Sequence, residues 1–174
     1  MLRFILGLFA GLSLLLAACS PVHNWREVRL HDAGLQLLMP CKPDQASRTM
    51  HMAGLSVEMQ LAGCEAGAAL YAISNVSLAD AGKTPQALEQ WKTAMLSNMQ
   101  ARDFMPLPAL TIKGAGAKTP AIHLAAQGSR QDGSAVAAQA IWFAKDARLY
   151  HAVVYAEKLN QEAVDTFFSG IELP

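Results

Sequence analysis

The nine residues Ser56-Val57-Glu58-Met59-Gln60-Leu61-Ala62-Gly63-Cys64 decide the fold class. Val57, Met59 and Leu61 fall on one side of an extended chain, and Glu58 and Gln60 on the other. A period of two belongs to a β-strand, and apolar opposite polar predicts an antiparallel sheet with one face in water. Ala53-Gly54 just before it reads as a tight turn, with a weaker strand from Ala46 to Met52 leading in. Further back, Trp25 to Leu30 reads as an opening strand. Asp32-Ala33-Gly34 supplies turn chemistry, and Leu35 to Met39 is a buried strand stopped by Pro40 and Pro43. Downstream, Ala69 to Leu78 is the next strand, with Leu70, Ala72 and Val76 on one side.

The period changes at Thr84-Pro85. Thr84 suits an N-cap, and Pro85 suits the first helical position, where its missing N–H costs nothing. Leu88, Trp91, Met95 and Met99 follow at helical spacing and mark a buried face running to about Arg102, with Pro106 and Pro108 ending the helix. That aromatic and methionine stripe could be a cofactor box; core packing is the simpler account. Four more strands follow: Leu110 to Lys113, Ala121 to Gln127, Ala135 to Phe143 and Leu149 to Ala156, with hairpin turns at Asp132-Gly133 and Asp146-Ala147. Asn160 caps a closing helix that carries Glu162 and Asp165 in its first turns and buries Val164, Phe167, Phe168 and Ile171. The expected class is α+β: a largely antiparallel sheet packed by a central helix and a C-terminal helix.

The N-terminus has a different character. Arg3 precedes an apolar run from Phe4 to Ala18, interrupted only by Gly7, Gly11 and Ser13 and ending Leu16-Ala17-Ala18-Cys19. As a helix it reaches about 22 Å, short of the roughly 30 Å hydrocarbon core of a bilayer. A charged start, a short apolar run and small residues at its end make a secretory signal. The last four residues resemble the lipobox of bacterial lipoproteins. The resemblance implies a signal peptide over 1–18 and lipid attachment at Cys19, with acylation of the thiol and then of the freed amine. It also implies, from Ser20 after the cysteine, the outer membrane facing the periplasm. The alternative is an ordinary signal cut after Ser20. Residues 19–24 form a short tether, the five from Ser20 reaching about 17 Å when extended.

Removing residues 1–18 takes away Arg3 and no acid. Thirteen basic and fourteen acidic groups remain, a net charge of −1 over 156 residues, which suits a single domain spanning 25–174. No run of either sign appears, which argues against nucleic acid and polyanionic substrates as partners. Lipidation of Cys19 would leave Cys41 and Cys64 as an even pair in an oxidising compartment, so a Cys41–Cys64 disulfide is expected, worth roughly 3 kcal/mol by loop entropy. Two buried free thiols are the alternative; a redox-catalytic pair lacks the CxxC spacing.

The strand from Gly34 to Pro40, the central helix from Thr84 and the closing Phe167-Phe168-Ser169-Gly170-Ile171 together resemble the PsbP/Mog1-like fold of small envelope lipoproteins. That resemblance implies a binding or assembly module and transfers no catalytic residue.

A search for chemistry finds little. His23, His31, His51, His123 and His151 form no HxH, HxxxH or HExxH pair, and no cysteine lies at ligand spacing from one. Gly114-Ala115-Gly116-Ala117-Lys118-Thr119 is no phosphate loop, because Ala117 replaces the required glycine and Pro120 blocks the following helix; it reads as a flexible loop. No GxSxG elbow occurs, and Ser129 and Ser134 belong to turn chemistry. Asp80 with Glu89, and Glu162 with Asp165, suit caps and solvated faces better than an acid pair. Arg26, Arg29, Arg48 and Arg130 would form a basic patch only if their strands were neighbours. The expectation is therefore a membrane-anchored, non-enzymatic accessory, assembly or binding lipoprotein, held by Cys19 and working with an envelope protein partner. It has no catalytic, cofactor or metal residues. The alternative is a carrier of a lipid or other hydrophobic ligand in an apolar pocket, and the least favoured is a hydrolase assembled from scattered His and Asp residues.

Overall fold

The computed structural model describes residues 22–174. The expected signal over 1–18, the expected anchor at Cys19 and the first residues of the expected tether lie outside the described residues. The elements are β1 (Arg26–Leu30), β2 (Leu35–Met39), β3 (Asp44–Met52), β4 (Leu55–Ala66), β5 (Ala69–Ser77), α1 (Thr84–Asn98), β6 (Asp103–Pro106), β7 (Ile122–Ser129), β8 (Ala135–Lys145), β9 (Arg148–Ala156) and α2 (Gln161–Ser169). Strands β3 to β9 form one seven-stranded sheet in the order β3-β4-β5-β9-β8-β7-β6, antiparallel throughout. A separate antiparallel ribbon, β1–β2, lies apart from it. The class is α+β, a mostly antiparallel sheet with two helices.

Alternation along the inner strands sends side chains into two cores. On one face Tyr71, Ile73, Ile141, Phe143, Tyr150 and Val154 pack against β2 (Leu35, Leu37, Met39) and α2 (Val164, Phe167, Phe168). On the other, Met59, Val76, Trp142, Leu149 and Val153 pack against α1 through Leu88, Trp91 and Met95, and against Met99 just after it. The helical stripe is thus a core face, as its spacing predicts. The wet face expected from Ser56–Cys64 is present in the first half of β4, where Ser56 and Glu58 are exposed opposite buried Val57 and Met59, and is lost further along and in the central strands. β8 and β9 are buried almost end to end, because a helix covers one side of the sheet and a ribbon plus a helix covers the other. Even in β4 the pattern turns over: Val57 and Met59 face α1, while Ala62 and Cys64 join the opposite core.

Other departures are local. Thr84 is the first residue of α1, not its N-cap; Lys83 holds that position and makes no side-chain cap. A single 3-10 turn, Ala81–Lys83, feeds the helix and is itself capped by Asp80, whose carboxylate accepts from Gly82 N–H at 2.8 Å. The Thr84 hydroxyl instead donates to the Asp146 carbonyl at 3.2 Å, tying α1 to the β8–β9 turn. α1 stops at Asn98, short of Arg102, and Gln100 turns the chain at φ 47°. Pro106 therefore sits in an edge strand, where a missing N–H is tolerated, and does not end the helix. Leu110 to Lys113 is not a strand: Lys113 makes only an isolated bridge to Glu172. The segment around Gly114 is tied down. Gly116 N–H donates to Ala144 O (2.7 Å) and Leu173 N–H to Lys113 O (2.8 Å). Gly114, at φ +80°, lets Leu173 O come within 1.8 Å of where a Cβ would stand.

The turns follow their chemistry. Ala53 and Gly54 both take positive φ, a two-residue connection matched to the twist of its strands. Asp132 Oδ1 accepts from Ser134 N–H and Oγ–H, which holds its carboxyl below the usual range. Asn160 caps α2 by accepting from Ala163 N–H at 3.2 Å. Replacing it, Asn160→Ala, is expected to cost about 1 kcal/mol, seen as a lower urea midpoint at unchanged slope. An unchanged midpoint would mean the cap is idle.

Candidate functional site

Following the registers places one end of the sheet beside residues 22–24. The β4–β5 turn at Gly67, the start of β8 and the end of β9 meet there, since Ala69 and Ala137 both pair with Ala156. The described chain enters at this end: Asn24 N–H donates to Pro40 O at 2.8 Å, and His23 lies against Gly67 and stacks on Trp25 at 5.7 Å. The C-terminus of α1 arrives there too. Ser129 N–H donates to Met99 O at 2.8 Å, an approach that only a residue lacking Cβ at 128 permits, because a Cβ on Gly128 would lie 2.1 Å from that oxygen.

These elements surround an open cleft of about 530 Å³. Its floor is Met99, Val136 and Tyr155, and its rim carries Glu65, Asn98 and Arg130. Burial pushes the Tyr155 phenol up to about 12, so it stays neutral and can offer one hydroxyl from an otherwise apolar floor. Arg130 is partly committed to its own hairpin, donating to Ala135 O at 3.0 Å. The arrangement suits binding of an amphipathic group. It aligns no nucleophile with a base.

A second open cleft, of about 680 Å³, lies between the β1–β2 ribbon and the outer strands, lined by Arg29, Asp32, Gln45, Ser47, Gln60 and Asn75. Leu30, Ala46, Leu61 and Ala62 also line it, so its surface is mixed polar and apolar, with Asn75 Nδ2–H donating to Gln60 Oε1 at 3.4 Å.

Cys41 and Cys64 form a disulfide (S–S 2.06 Å, Cα–Cα 6.0 Å) that joins the segment after β2 to β4, as expected. The histidines are dispersed. His31 and His51 are exposed, and His23 lies 3.5 Å from the Tyr71 hydroxyl. Buried His123 donates from Nδ1–H to Pro108 O at 2.7 Å and accepts at Nε2 from Gln139 at 3.0 Å. Gln139 in turn accepts from Gln161, so this chain of polar groups ties the 107–121 segment and α2 to the sheet. His151 lies between two indoles, stacked on Trp142 at 4.6 Å and tilted to Trp91 at 5.4 Å. Among the described residues, no three His, Cys, Asp or Glu side chains converge. The four arginines do not gather into one patch either: Arg48 lies on one edge of the sheet, Arg130 in the distant β7–β8 turn, and in β1 Arg26 donates to Asn24 O at 3.4 Å while Arg29 pairs with Glu27 at 2.6 Å.

The cleft and the Trp91–His151–Trp142 stack have no signature in the sequence. Their members come from separate elements, and no spacing rule brings 91, 142 and 151 together.

No family model matches the chain, and no curated protein does. Among solved structures it is similar to PA94, a protein of unknown function from Pseudomonas aeruginosa. The identity is 17% over 76% of this chain and 82% of that one, with a TM-score of 0.35. It is also similar to LpqN of Mycobacterium tuberculosis, a protein involved in cell envelope biogenesis. There the identity is 15% over 87% of this chain and 91% of that one, with a TM-score of 0.41. Likenesses this distant carry no argument about what the chain does.

Proposed function

We propose that the protein is a lipid-anchored, non-enzymatic accessory or binding module of the bacterial envelope. In this reading a single PsbP/Mog1-like domain, residues 25–174, is held on the periplasmic side of the outer membrane through Cys19 and works with an envelope protein partner. The observation that carries the reading is the entry of the chain. Asn24 is fastened to Pro40 at the same end of the sheet as the Met99–Val136–Tyr155 cleft. A lipid on Cys19, three residues before Val22, leaves a tether of about 10 Å, so this end and its cleft would face the bilayer. The first cleft presents a binding surface, in which Tyr155 offers a hydroxyl and Arg130 is partly committed to its own hairpin.

The test is mass spectrometry of the chain drawn from bacterial membranes in mild detergent, paired with a Cys19→Ala variant. The expected mass begins at Cys19 and carries acyl chains, and the variant leaves the membrane fraction while keeping its fold. A chain that starts after Ser20 without lipid overturns the anchor. The second reading, a carrier of a hydrophobic ligand, is favoured by the apolar floor of the cleft; its expected mark is a small hydrophobic adduct retained on the native protein.

A further inference from the structure

The two edges of the seven-stranded sheet are unlike. β6 is four residues long. Leu107 N–H donates to His123 O, which makes that a hydrogen-bonded pair and, by alternation, turns the backbone of Phe104 and Pro106 outward. Pro106 has no N–H to offer, so this edge is closed to another strand. The opposite edge, β3, has nine residues and no proline. Its two-residue turn at Ala53-Gly54 makes Met52–Leu55 the closing hydrogen-bonded pair. Counting back in twos, Gln45, Ser47, Thr49 and His51 hold their backbone N–H and C=O groups outward. Asp44 through Thr49 are all exposed, and among the described residues nothing pairs with this side of β3. A long, open edge is a template for strand addition, and proteins normally blunt one with proline, lysine or a bulge.

The charges on β3 select the occupant. Its only full charges are Asp44 and Arg48, placed symmetrically about Ala46. We infer that β3 pairs antiparallel with β3 of a second copy, about a two-fold axis at Ala46, to make one sheet continuous across two molecules. In that register Gln45 and Ser47 of each copy exchange backbone hydrogen bonds with Ser47 and Gln45 of the other. Asp44 lies opposite Arg48 of the second copy and Arg48 opposite its Asp44, both at non-hydrogen-bonded positions where side chains come closest. Ala46 against itself lets the strands approach. A register centred on Arg48 would set like charges face to face, so electrostatics favours the first. Pro43, lacking an N–H, ends the pairing.

The experiment uses the full-length chain in non-ionic detergent, with association read by sedimentation velocity and native mass spectrometry. Wild type should dimerise in the micromolar range. Asp44→Arg and Arg48→Asp should each weaken self-association by on the order of tenfold or more, since each leaves one sign of charge facing itself. Mixed together, the two variants should form a heterodimer, because each supplies the charge that the other lacks, and the exchange D44R/R48D in one chain should restore the homodimer. Both positions are exposed, and circular dichroism checks that the fold is kept. A wild-type monomer overturns the proposal, as do single variants that dimerise like wild type or a mixture that stays apart. So does a strand of a different protein found bound along β3.

Discussion

Lowering the pH from 7 to 4 is expected to remove about 3 kcal/mol of folding stability through His151 alone. The residue is 6% exposed, its ring is sandwiched between Trp142 and Trp91, and its Nε2 has no hydrogen-bond partner among the described residues. Burial holds the imidazole down at about 3, against an ordinary value of 6.5. The unfolded chain takes up a proton below about pH 6.5 that the folded chain refuses until about pH 3. Stability is therefore complete above the upper value and falls by about 1.4 kcal/mol per pH unit between the two. Urea unfolding at pH 7, 5 and 4 measures the loss. His151→Phe keeps an aromatic ring in the stack and has nothing to titrate, so its stability should fall less steeply by that amount. It also removes a buried polar atom that lacks a partner, so at pH 7 it is not expected to suffer the loss typical of a core truncation. The same acid slope in wild type and variant would sink the argument.

Reducing the Cys41–Cys64 bond is expected to cost about 3 kcal/mol, or roughly 10 °C in melting temperature for a chain of this size. The bond closes a loop with a sequence separation of 23 and fastens the segment after β2 to β4. It thereby links the ribbon layer to the main sheet, and its loss frees the unfolded chain more than it disturbs native contacts. The Cys41→Ser/Cys64→Ser pair should match the reduced wild type. A melting temperature indifferent to reductant would show that the cross-link contributes nothing to stability under the conditions used.

Both predictions show how differently the sequence and the tertiary structure spoke. The cysteine pair was legible because it needs only parity and the expectation of export. His151 was not, because nothing near it in sequence announces two indoles drawn from α1 and β8. Elements were read well where the local pattern is strong: the period of two in Ser56–Cys64, the stripe from Leu88 to Met99, and Asn160 ahead of Phe167-Phe168. They were misread where a local signal has two outcomes. Thr84 before Pro85 looks like a cap, yet a preceding 3-10 turn shifts the helix start by one residue and redirects the hydroxyl to Asp146. Pro106 looks like a helix stop, yet Gln100 has already turned the chain and the proline serves an edge strand.

By itself, then, the sequence determined the class of this protein: strands and two helices, each carried by residues a few positions apart, and a cross-link between cysteines 23 positions apart. Only the tertiary structure decided that β5 pairs with β9, that both faces of the central strands are covered, and that a cleft lies beside the entering chain. The reason is physical. Periodicity reports which side of an element is apolar, whereas strand order and layer assignment depend on which distant apolar surfaces bury each other, and many pairings satisfy the same local pattern.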